Sequence, residues 1–205
     1  MIRFFNYAQR FARQQNQSLS KVLVYDCEIA RCIPSCDRVA DLEYCQGWND
    51  FEGMGISVIC AYSFWDDRYH VYLQDNLTDF QILVDQAQEV VGFNSHSFDD
   101  RLCAANGLQV KTTYDLLIHI RVAAGMPPNY VKGITRSGYS LEQMAQANLG
   151  YGKSGSGAIA PQLWQRGNRG AVINYCLGDV NLTSKLYQKR ARLIDPTNNK
   201  LLTLV

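Results

Sequence analysis

The sequence predicts an α/β fold: a mixed sheet of about five strands, one antiparallel to the rest, flanked by helices. Three patterns carry this expectation. Val22-Leu23-Val24-Tyr25 is apolar on both alternating faces, which suits a central strand covered on both sides. Gly55–Phe64 and Tyr69–Leu73 alternate around the turn Trp65-Asp66-Asp67-Arg68 and read as a β-hairpin. Behind them come stretches of helical periodicity interleaved with the short apolar run Glu89–Asn94.

Residues 1–20 carry Arg3, Arg10 and Arg13 and no acid, with Phe4, Ala8, Phe11 and Ala12 on one helical face. They read as an N-terminal amphipathic, basic helix or arm that docks on the domain. An organelle-targeting peptide and a nucleic-acid-touching arm are the other readings of the same pattern. Residues 21–205 form one domain, of ordinary size for a single α/β core.

The first strand ends in Asp26-Cys27-Glu28. Val22, Val24, Asp26 and Glu28 share one face; Leu23, Tyr25 and Cys27 share the other. Two adjacent carboxylates repel unless one is protonated or a cation lies between them. Oxygen ligands suit Mg²⁺ or Mn²⁺, so Asp-x-Glu reads as half of a metal site; a strand end that has reached solvent explains it equally well.

Residues 30–54 lack periodicity and read as a long loop or irregular insertion, a class of segment that is often functional. Asn76 or Thr78 caps a helix bearing Phe80, Leu83, Val84 and Ala87. A parallel return through that helix sets the strand at Val90 beside the first strand. Phe98-Asp99-Asp100 then opens a helix ending near Gly107, Val110–Tyr114 reads as a short strand, and 115–124 as a helix. Residues 125–138 form a loop. Ser140 and Gln143 make a near capping box for a helix closed by Gly150, and 151–160 is glycine-rich. From Gln162 the pattern is helical to Arg192, with a break near Gly167–Gly170, and the tail is short and polar, then apolar. Tyr175 and Asp179, four apart, share a helical face.

The net charge of +1 excludes a wholesale nucleic-acid coat but not a local basic channel. No apolar run reaches membrane-spanning length, and no membrane partner is expected. Seven cysteines, an odd number, point to free thiols in a reducing, cytoplasmic compartment. Cys32-x3-Cys36 with Cys45 lacks a fourth zinc ligand at suitable spacing. Gly150-Tyr151-Gly152-Lys153-Ser154 superficially resembles a P-loop, but it lacks the first glycine and follows a helix, not a strand. No nucleophile–histidine–acid set is evident.

Taken in order, Asp26-x-Glu28, Asn94-x3-Phe98-Asp99 and Tyr175-x3-Asp179 resemble the DEDD superfamily of 3′–5′ exonucleases, in the ribonuclease H-like fold. Tyr175 stands four residues before the last acid, and Asn174 stands where the other branch carries histidine, so the chain is similar to the tyrosine (DEDDy) branch. That branch includes exonuclease domains of family B DNA polymerases and stand-alone nucleases. The resemblance implies a hydrolase acting on 3′ ends of single-stranded nucleic acid, DNA favoured, through two divalent cations, Mg²⁺ or Mn²⁺. It implies Asp26 as the bridge between both, Glu28 and Asp179 on the nucleophile side, Asp99 on the second, and Tyr175 orienting the attacking water. Asp100 is the alternative to Asp99.

Candidates for substrate contact are Asn94, Phe98, Lys132 and Lys153, with Arg136 as a further phosphate contact and Tyr130, Tyr139, Tyr151 and Trp164 as further stacking platforms. His96 reads as a residue of the turn into the helix. An RNA 3′-trimming exoribonuclease and an inactive nucleic-acid-binding module are the alternatives. No helicase or polymerase partner is specified by the sequence.

Overall fold

The computed structural model describes residues 21–35, 38–153 and 155–204. The N-terminal arm at 1–20, Cys36 and Ser154 lie outside them. The described chain builds one five-stranded sheet in the order β3-β2-β1-β4-β5. β1 (Val22–Ile29) is central, and its two faces feed separate cores. Leu23, Tyr25, Cys27 and Ile29 pack with Phe80, Leu83 and Leu102. Val22 and Val24 pack on the other side with Val172, Cys176 and Val180. The alternation read from the sequence therefore sets the layers, and it leaves Asp26 and Glu28 on the Val22/Val24 face.

β2 (Ile56–Ser63) runs antiparallel to β1 and to β3 (Arg68–Leu73). β4 (Glu89–Gly92) and β5 (Tyr114–Asp115) run parallel to β1 and to each other. β2 is thus the one strand opposed to the rest. The hairpin turn is closed by Asp67 at φ 55 and by Ser63 bonding Asp66 and His70. The pairing of β1 with β2 shifts register just after Glu28, which still pairs with Val58, so that Ser57 of β2 is the extra, bulged residue.

The helices are α1 (Phe51–Met54), α2 (Leu77–Val84), α3 (Asp99–Ala105), α4 (Leu116–Ala123), α5 (Leu141–Leu149), α6 (Ala160–Gln165) and α7 (Arg169–Gln188). α5 has the full capping box from Ser140 and Gln143, and it ends at Gly150 with φ 80, as its sequence requires. The break expected near 167–170 falls at Gly167, φ 77, between α6 and α7. The break separates α6 from α7, and α7 packs along both β1 and β2.

Two expectations are corrected, and the tail adds a hairpin that the sequence did not announce. The strand read at Val110–Tyr114 shrinks to Tyr114–Asp115, because the Thr113 hydroxyl accepts the Val90 N–H that a backbone carbonyl would take. The insertion at 30–54 is not wholly irregular. Asp50 caps α1, and Cys32 and Tyr44 form an isolated bridge. The tail forms a small hairpin, β6 (Leu193–Ile194) with β7 (Leu201–Leu202), around Asp195. Two-residue strands carry no alternation to read. Asp195 accepts from the Thr197 backbone and from the Tyr139, Thr197 and Asn198 side chains.

Candidate metal centre

The end of β1, the β4–α3 turn and the middle of α7 meet around one cavity of about 620 Å³. Asp26, Glu28, Asp99, Tyr175, Asp179, Asn94, Phe98 and Lys153 all line it. Asp26, Glu28 and Asp179 offer carboxylate oxygens within 4.8 Å of one another. Asp26 as a residue is only partly buried, but its Oδ2 is shielded from solvent and takes no hydrogen bond. A shielded, unpartnered carboxylate oxygen facing two more carboxylates fits a hard divalent cation by donor chemistry.

The electrostatics agree with this geometry. Burial, and then the charges of Asp99, Asp179 and Glu28, raise the Asp26 carboxyl well above its ordinary range. Burial, then Asp179 and Asp99, does the same to Glu28. Burial lifts Asp99 to about 7, although the Cys27 N–H donates to its Oδ1 at 3.1 Å and works against the rise. Asp179 is raised by burial and restrained by Lys153. Without a cation, Asp26, Glu28 and Asp99 bind protons more tightly than exposed carboxylates do, and the Lys153 ammonium partly offsets this at Asp179.

Lys153 brings the nearest positive charge. Its Nζ donates to Asp179 Oδ2 at 2.5 Å and to the Tyr175 hydroxyl at 2.9 Å. Burial would lower its pKa, but the Asp179 charge overrides that and raises it, so the group is an ammonium at any ordinary pH. The loop that carries it is fastened where Glu142 accepts the Lys153 N–H. Gly155 and Gly157 lie flat against the Tyr175 ring, and a Cβ at either would sit 3.3–3.4 Å from it. Burial raises the Tyr175 hydroxyl further above its already high pKa, so it donates or accepts hydrogen bonds and does not ionise.

Asp99 and Asp100 separate cleanly. Asp99 is buried and lines the cavity, whereas Asp100 does not line it and accepts from the hydroxyl of Tyr25, on the opposite face of β1, at 2.6 Å and from both the N–H and the hydroxyl of Thr112. The other candidates divide as well. Lys132 is exposed on the 125–138 loop and does not line the cavity. Arg136 bonds the Ala124 carbonyl at 2.6 Å and braces that loop. Tyr139, read as a stacking platform, is instead a core residue, 4% exposed and bonded to Asp195, because it packs among Leu141, Met144 and Leu193. Tyr130, Tyr151 and Trp164 lie outside this cavity too. His96 bonds the Thr112 carbonyl at 2.8 Å, in a turn just before α3.

One residue was missed from the sequence. Asp115, 2% exposed, caps α4 through the Leu117 and Ile118 N–H groups and also accepts the Asn94 and His96 N–H groups. It holds the turn that presents Asn94, at φ 65, and leads into Asp99. Its signal was an Asp directly before the helical run Leu116-Leu117-Ile118. Asp115→Ala is expected to cost about 2–4 kcal/mol, more than the ~1 kcal/mol of Ser140→Ala, since it strands four backbone donors at once. Urea unfolding of the two variants against wild type checks this.

No family model matches the chain, and no curated protein matches it. Among solved structures it is similar to the family B DNA polymerase of the hyperthermophilic archaeon Pyrobaculum calidifontis, with TM-score 0.53 and 16% identity over 82% of this chain and 24% of the polymerase. It is similar to Trypanosoma brucei RNase D, with TM-score 0.51 and 16% identity over 93% of this chain and 62% of that one. A GMP complex of the same RNase D gives TM-score 0.53 at 16% identity, over 93% and 55%. The fold is ribonuclease H-like. This chain spans less than two thirds of each of those chains, and at this identity the likeness carries the fold alone. Among the described residues no helix is long and apolar enough to cross a membrane.

Proposed function

We propose that the protein is a metal-dependent 3′–5′ exonuclease of the tyrosine branch, hydrolysing phosphodiesters at the 3′ end of single-stranded nucleic acid, DNA favoured. The observation that carries the proposal is the cluster of Asp26, Glu28 and Asp179 oxygens at the end of the central strand, with a shielded Asp26 oxygen lacking any partner. The folds of a DNA polymerase and an RNase D are compatible with it.

In this reading Asp26, Glu28 and Asp179 would hold a divalent cation, and Asp99 would help to hold a second. Such ions polarise a phosphodiester and make water a competent nucleophile at neutral pH. The chain's own groups do the rest. Tyr175 orients the attacking water by hydrogen bonding, since its raised pKa rules it out as a base. Lys153, bonded to Tyr175 and Asp179 and lining the cavity, balances the charge that builds on the substrate phosphate. Asn94 and Phe98 flank the strand end on the opposite wall.

A 5′-labelled single strand should shorten stepwise from its 3′ end with Mg²⁺ or Mn²⁺ and stay intact with chelator. Matched DNA and RNA strands decide the sugar preference, and no shortening of either, with metal binding shown by calorimetry, would sink the proposal. Lys153→Ala should lower kcat roughly 10–100-fold. Lys132→Ala should change it by less than about twofold, as expected of an isolated surface substitution.

A further inference from the structure

The acids occupy one side of the 620 Å³ cavity, and an apolar wall closes another part of it. Ile33, Pro34, Tyr44 and Trp48, all from the insertion after β1, belong to that lining. Trp48 is 70% exposed, the most exposed large hydrophobic side chain among the described residues. Singly exposed apolar residues are common and need no account. Three features set this one apart. It lines the same cavity as Asp26, Glu28, Asp99 and Asp179. Among the described residues it takes no ring, cation or hydrogen-bond partner. Its loop is also held firmly. The Gln46 N–H donates to Asp50 Oδ2 at 2.7 Å, the Asp50 N–H to the Gly47 carbonyl at 3.1 Å, and the Cys45 N–H to the Cys32 carbonyl at 2.9 Å. Gly47, at φ 154, supplies the backbone angle that the turn needs.

A bare indole costs free energy in water, and a rigid loop that keeps it bare has already lost the entropy that binding would otherwise remove. A partner for such a face is flat and apolar on its faces, and here it must be tethered to the group that the carboxylates hold. A nucleobase joined through its sugar to a phosphodiester meets both conditions. We infer that Trp48 is the stacking platform for a nucleobase at the 3′ end of the bound strand. The insertion after β1 thereby makes the site one for unpaired ends, recognising every base by its π-face rather than by its edge. This rests on the exonuclease reading for the identity of the tethered group.

The test uses full-length protein in chelator, so that binding is measured without turnover, by anisotropy of a 5′-labelled oligothymidylate. A second oligomer is the same except for abasic sugars at its last two 3′ positions. Trp48→Ala should weaken binding of the normal strand roughly tenfold, within the range found for losing one base–aromatic stack. Trp48→Phe should restore most of the affinity, and Trp48→Leu should not. Removing the bases should weaken wild-type binding by a similar factor and leave the alanine variant nearly unchanged, since the partner is already gone. Melting temperatures of all variants should match wild type, because the side chain is exposed. Equal sensitivity of wild type and Trp48→Ala to the abasic ends, or unchanged affinity in Trp48→Ala, overturns the inference. Metal-dependent shortening of the strand by wild type, assayed separately, tells whether the exonuclease reading survives that outcome. If wild type binds no strand in chelator, the inference falls, and the shortening assay alone decides the exonuclease reading.

Discussion

Asp26→Asn is expected to abolish metal-dependent shortening of a 3′ end while raising the melting temperature of the metal-free protein. The two halves have one cause. Asp26 lies among Asp99, Asp179 and Glu28, and each of these charges, together with burial, opposes its ionisation. An amide of the same shape removes that repulsion, so the metal-free protein at pH 8 should melt about 2–4 °C higher, the effect of roughly 1 kcal/mol in a chain of this size. The amide oxygen is a poor ligand for a hard cation beside Glu28 and Asp179. Activity should therefore fall at least about a thousandfold, equivalent to ~4 kcal/mol of barrier. A labelled-strand ladder and a thermal melt with chelator measure the two effects. Full activity in the variant would remove Asp26 from the site; a lower melting temperature would show that its charge is satisfied by something other than a cation.

The second large effect is a crossing of stability with pH. Asp99 has a folded-state value of about 7 against an ordinary 3.8, and Asp26 and Glu28 are raised as well. A carboxyl raised in the folded state contributes stability that is complete below its unfolded value and is lost as pH climbs through the folded one. The metal-free protein should therefore melt lower at pH 8 than at pH 5, with most of Asp99's share lost between about pH 4 and 7. Mn²⁺ in hundredfold excess over its dissociation constant should reverse the order. It binds the ionised cluster and raises the pH 8 melting temperature on the order of 5–10 °C, with little effect at pH 5. Melts with chelator and with Mn²⁺ at the two pH values check this. A flat metal-free profile would mean that the acids are not mutually destabilising.

Lys153 modifies both expectations in one direction. Its ammonium is the cation that Asp179 holds in the absence of metal, so Lys153→Ala should lower the metal-free melting temperature at pH 8, and by more than at pH 5. Because Tyr175 shares the same ammonium, the substitution also frees its hydroxyl, which couples the stability effect to the loss of turnover.

Much of the fold was legible in the chain because its signals are local and periodic. The two-faced apolar run at Val22–Tyr25 announces a central strand. The alternation on either side of Trp65–Arg68 announces the hairpin, and Ser140, Gln143 and Gly150 mark both ends of α5. Where the structure departed from the reading, a side chain had taken over a backbone role. Thr113's hydroxyl replaces a strand carbonyl, Asp195 organises a hairpin too short for alternation, and Asp115 ties a helix to a turn about twenty residues earlier in the chain. Such bonds depend on where a side chain lands in space, and the sequence encodes that only through the whole fold.

The same division runs through the site. By itself the sequence determined that Asp26 and Glu28 share one face of a strand and that Tyr175 and Asp179 share one face of a helix, because strand and helix periods are fixed by covalent geometry. Only the tertiary structure decided which of two neighbouring acids, Asp99 or Asp100, lines the cavity. One helical step of about 100° separates them, and the Tyr25 and Thr112 hydroxyls are placed to capture the second. Only the tertiary structure placed Lys153 on Asp179, left Lys132 outside, buried Tyr139 and set Trp48 on the cavity wall. Loops have no period from which a side chain's direction can be read, and their residues find their partners only when the sheet and helices on either side are in place.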